Sequence, residues 1–78
     1  MNAKELKKVI LFMANRWSKK VAKDIFGEVM GLHFWSKWLD AYETNHKGPD
    51  YATMRLFYEF DENYLQKLLD YIEANYNG

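Results

Sequence analysis

The feature that most constrains this 78-residue chain is that it contains no cysteine. A chain this short buries only about 60% of the surface it exposes when unfolded, and chains of this size are often held by disulfides, a metal or a partner subunit. Without thiols, disulfides and thiolate metal sites are excluded. Aromatic bulk has to build the core instead. The chain carries three Trp, six Tyr and five Phe, and each such side chain can bury about 150–250 Å². The expectation is a single helical domain over residues 1–78, with some aromatic surface left to meet a partner.

Hydrophobic spacing reads as helix almost throughout. Asn2, with Glu5 three residues on, makes a loose capping box. Leu6, Val9, Ile10, Met13, Trp17 and Val21 then recur on one face. The first helix is expected to start at Ala3 and to end between Asn15 and Phe26. The alternative is a turn at residues 15–17, with Ser18 capping a second helix over Lys19–Phe26. Gly27 and Gly31 each cost about 1 kcal/mol in a helix interior relative to Ala, so a break is expected across them. Phe34, Trp35, Trp38, Leu39 and Tyr42 form the next stripe, which ends near Glu43.

Residues 44–50 read as the clearest loop, with the only proline, Pro49, biasing Gly48 away from helical geometry. Residues 51–60 fit a helix that groups Tyr51, Met54, Phe57 and Tyr58 and pairs Arg55 with Glu59 at i, i+4. They also fit a strand alternating Met54, Leu56, Tyr58 and Phe60. Helix is favoured, because a lone strand has nothing to pair with inside the chain, although it could pair across a dimer. Asp61 is the cap of the last helix. Its stripe, Leu65, Leu68, Leu69, Ile72 and Tyr76, is the cleanest of all, and Asn77 with Gly78 is its natural stop. The predicted fold is all-α, a compact bundle of four to five short helices.

Catalytic and metal chemistry find little support. His33 and His46 lie thirteen residues apart with no HExxH spacing and no companion carboxylate. The pairs Asp40/Glu43, Asp61/Glu62 and Asp70/Glu73 fit helix caps or solvated faces. Gly27 and Gly31 do not make a phosphate loop, and neither serine sits in a nucleophile elbow. No enzyme, no metal and no cofactor is expected. The longest apolar run, residues 9–14, is far below the roughly 20 residues of a membrane span. No apolar stretch leads to a cleavage site. No membrane partner is expected, and the cytoplasm is the expected location.

Charge is zero overall but unevenly placed. Residues 1–39 hold eight Lys/Arg against three Asp/Glu, and residues 40–78 hold three against eight. On an unbroken first helix, Lys8, Phe12, Arg16, Lys19 and Lys23 would share the side opposite the apolar stripe. Cations around an exposed Phe are how a surface meets phosphates and bases, so Lys8, Arg16, Lys19, Lys20 and Lys23 are the candidate nucleic-acid contacts. A helix-turn-helix registration with Ala22 at the small-residue position puts the turn glycine at Phe26, one residue before Gly27. Its recognition helix, residues 32–41, is dominated by Phe34, Trp35 and Trp38, with only His33 and Lys37 to read bases. The match to that motif is weak.

Trp, Tyr and Arg are the residues most enriched where proteins grip one another. The leading expectation is therefore a small non-enzymatic protein-binding module, a regulator, inhibitor or adaptor. Its candidate contacts are Phe12, Arg16 and Lys19 on the basic face, with Trp35 and Trp38 as anchors if exposed. Nucleic-acid binding through the basic N-terminal helix is the alternative. A structural homodimer, in which the basic and acidic halves pair between chains, is the second.

Overall fold

A computed structural model describes residues 2–76. Among them are five helices and no strand: α1 (Ala3–Arg16), α2 (Lys19–Phe26), α3 (Glu28–Asn45), α4 (Gly48–Glu59) and α5 (Glu62–Asn75). The all-α bundle read from the sequence is the observed architecture, and residues 51–60 are helical up to Glu59.

Local capping chemistry sets most of the boundaries. Asn2 Oδ1 accepts the Glu5 N–H at 2.9 Å while Glu5 Oε1 accepts the Asn2 N–H at 3.1 Å, a complete capping box. Trp17 and Ser18 are extended, and Ser18 Oγ accepts the Val21 N–H at 3.1 Å, so the chain breaks there and α2 starts afresh. Asp61 Oδ1 accepts the Asn63 N–H at 2.8 Å and starts α5. That helix ends at Asn75 with Tyr76 as its C-cap; Asn77 and Gly78, expected as its stop, lie outside the described residues.

The two glycines expected to break the chain act differently. Gly27 has φ +89 and is the whole of the α2–α3 connection, a backbone angle that side chains disfavour. Gly31 is not a break. It lies inside α3, where a Cβ would meet Ala22 O and Lys23 N at 2.6 Å, so its lack of a side chain is what lets α3 lie against the α2 backbone. The expected loop at residues 44–50 also shrinks to His46 and Lys47. α3 continues to Asn45, His46 takes a left-handed conformation, and Pro49 enters the first turn of α4, where its missing N–H leaves no bond unmade.

α3 packs against α2 on one flank and α4 on the other, and α1 packs against α4 and α5. The core joins Val9, Phe12 and Met13 of α1 to Phe34 and Trp38 of α3, Leu56 of α4 and Leu68, Leu69 and Ile72 of α5. α4 turns inward the small face Ala52, Thr53 and Leu56 rather than the expected aromatic one, and leaves Tyr58 exposed. Small side chains there let the helix approach closely. The Cα radius of gyration is 11.4 Å, against about 11.5 Å expected for a compact chain of this length.

Candidate functional site

The break at Ser18 decides the fate of the basic face. With Trp17 and Ser18 extended, Lys19, Lys20 and Lys23 no longer continue the helical register of Lys8 and Arg16. Most of the cations are also engaged. Lys8 Nζ lies 2.8 Å from Glu73, Lys20 Nζ 3.6 Å from Asp24 and Lys23 Nζ 3.3 Å from Glu28. Three of the five candidate phosphate contacts thus face carboxylates of the same chain. Arg16 holds its guanidinium over the Tyr76 ring, 5.4 Å from the centroid, and Lys19 is exposed.

Phe12 is not an exposed platform. It is 5% exposed, with Tyr71 edge-on at 6.2 Å and Tyr76 at 5.2 Å, because α5 crosses the side of α1 that the sequence left open. Burial, together with the charge and hydrogen bond of the Tyr76 hydroxyl and the nearby Asp24, holds the Tyr71 phenol above its ordinary pKa, so this aromatic cover stays neutral. Lys8, Phe12 and Arg16 do come together along a shallow groove between α1 and α5 that Tyr76 completes. Phe12 lies beneath that groove instead of projecting from it.

Trp38 is a core residue as well. It is 8% exposed, and its Nε1–H donates to Thr53 Oγ1 at 3.2 Å while the Thr53 hydroxyl donates to the Pro49 carbonyl at 2.8 Å. That relay satisfies the fully buried Thr53 and ties α3 to α4. Trp38 is therefore no anchor for a partner. Trp35 is half-buried and stacks on Trp38, with centroids 6.2 Å apart and planes 17° apart. Of the two tryptophans, it alone reaches the surface.

The outer side of α3 carries a pattern the sequence reading missed. The inner face of this helix is the series Gly31, Phe34, Trp38 and Ala41, all buried. Two residues out of step runs a second series with the same 3-4-3 spacing: Val29, Leu32, Ser36 and Leu39, continued by Glu43. A two-residue offset is about 200° around a helix, so the two series lie on opposite faces. Val29 is 81% exposed and Leu32 43%, with half-buried Trp35 one turn on from Leu32. A surface helix normally confines apolar residues to one stripe. The signal was legible in principle, but only for a helix that begins before Gly31.

Among the described residues, no group of three or more His, Asp or Glu is placed to hold a metal. No helix among them is long and apolar enough to cross a membrane. Compared with protein-family models, curated proteins and solved structures, the chain matches none.

Proposed function

We propose that this chain is a small, non-enzymatic, cytoplasmic protein-binding module that docks a partner along the outer seam of α3. One observation carries the reading: on the side of α3 away from its buried series, Val29 and Leu32 stand exposed, while Leu39 and Trp35 at its margin are partly covered by the core. Val29 and Leu32 are in register with Leu39, the 3-4 spacing by which one helix seats against another. Trp35 at the edge of the seam supplies the large, stiff anchor that interfaces favour. Of the earlier candidates, Trp38 lies inside the fold and stacks under Trp35, while Phe12 is buried against α5. Arg16 and Lys19 lie on other elements, where they would steer an encounter more than hold it.

Nucleic-acid binding is the weaker alternative, since Lys8, Lys20 and Lys23 are matched by carboxylates. Fluorescence anisotropy with labelled DNA and RNA decides it: sub-micromolar binding that falls steeply with salt would move that reading to first place.

The seam itself is tested by placing a photo-crosslinking amino acid at position 32 or at position 67 and irradiating living cells that express the full chain. A discrete adduct is expected from position 32, none from exposed Lys67 on α5, and the first should vanish with Val29→Asp. No adduct at position 32 overturns the proposal.

A further inference from the structure

We infer that the occupant of this seam is the α3 helix of a second copy, laid antiparallel about a two-fold axis through Ser36. The inference rests on reading the seam as a docking surface, and it adds the partner's identity and direction.

The shape of the seam suits self-pairing. Ser36, small and exposed, sits midway along it, with Leu32 one turn before and Leu39 one turn after. In a two-fold contact residue i meets j and j meets i. With Ser36 on the axis, the small side chains face each other and let the helices approach, Leu32 of each copy lies across Leu39 and Asp40 of the other, and Val29 lies across Glu43.

Charge selects the second copy and the antiparallel sense. α3 ends with Asp40 and Glu43 and has no basic residue in its last turn, so its carboxylates lie toward the negative end of their own helix dipole. Its other end starts from Gly27 with no side-chain cap, so the first N–H groups form a positive pole, and the one carboxylate of that first turn, Glu28, is balanced by Lys23 of α2 at 3.3 Å. Antiparallel pairing brings the carboxylates of each copy to the positive end of the other. Across the axis, His33, whose ring rests edge-on against Phe60 at 5.4 Å, comes level with Asp40 of the second copy. A parallel pair would instead stack Asp40 on Asp40 and Glu43 on Glu43.

The chain's lack of cysteine makes the test direct, since each introduced thiol is the only one present. Sedimentation of the unmodified chain from micromolar to near-millimolar concentration is expected to show monomer passing to dimer. Leu32→Glu should hold it monomeric with an unchanged helical circular dichroism spectrum. Under mild oxidation Ser36→Cys should form a disulfide-linked dimer. Val29→Cys should not, because the two copies of residue 29 would stand about 21 Å apart along antiparallel helices. A chain that stays monomeric throughout, or Val29→Cys linking as readily as Ser36→Cys, overturns the inference. The two readings fail separately. A position-32 photo-adduct of some mass other than twice the chain, from a protein that sediments as monomer, removes self-pairing and leaves the docking seam. Neither adduct nor dimer removes both.

Discussion

In α5, Leu65, Leu68, Leu69 and Ile72 lie on one side and Gln66, Asp70 and Glu73 on the other; in α3, apolar residues line both sides. The first helix is used up by its own fold. Leu68, Leu69 and Ile72 are buried against the rest of the bundle, while the polar side meets water and supports itself with a Gln66–Asp70 hydrogen bond at 2.9 Å. The second helix closes the core with Phe34 and Trp38 and still presents Val29 and Leu32 outward. The contrast shows that burial follows neighbours and not hydrophobicity alone: a helix with apolar residues on both sides leaves some of them uncovered.

Three substitutions probe that contrast. The largest effect is expected from Ile72→Ala in α5, which removes a fully enclosed side chain and should cost about 2–5 kcal/mol in urea unfolding. Gly31→Ala, on the inner face of α3, should come next at about 1–3 kcal/mol. The added methyl has to push apart the α2 and α3 backbones, which outweighs the roughly 1 kcal/mol that Ala gains over Gly as a helix former. A stabilising Gly31→Ala would mean that the two helices have room to spare. The smallest effect should come from Val29→Lys on the outer face, within about 0.5 kcal/mol at dilutions where the chain is monomeric. If Val29→Lys destabilises the dilute protein as much as Ile72→Ala does, the outer face belongs to the core and the contrast collapses.

What was legible in the sequence follows how local its cause is. The Asn2–Glu5 box, the Asp61 cap and the α5 stripe from Leu65 to Ile72 each depend on residues within a turn or two of one another and are present as read, and of the two readings at Ser18 the cap is the one observed. The fate of Phe12 depended on α5, some sixty residues away in sequence. Gly31 looked like a helix breaker because its worth lies in the closeness of α2, which no local rule records. Expecting a break across Gly31 also hid the start of α3 at Glu28, and with it the register that joins Val29 and Leu32 to Leu39. In α4 the expected aromatic group does not take the inner face as a whole: Ala52 and Thr53 share it with Leu56, Phe57 packs at its edge, and Trp38 reaches the Thr53 hydroxyl. At the site level, the protein-binding expectation had named Trp35 on the surviving surface. The other four candidates, Phe12, Arg16, Lys19 and Trp38, lie inside the fold or on neighbouring elements.

The ring ladder on α3 also gives the molecule an optical property. Trp35, Trp38 and Tyr42 stand nearly parallel, with interplanar angles of 17° and 8° and centroids 6.2 and 5.1 Å apart. Chromophores so close and so aligned exchange excitation, so ultraviolet light absorbed by Tyr42 or by the enclosed Trp38 is shared with Trp35 at the rim. The emission of this ladder, read once Trp17 is replaced by Phe, should therefore report the wetness of the α3 surface even when the absorbing ring is in the interior.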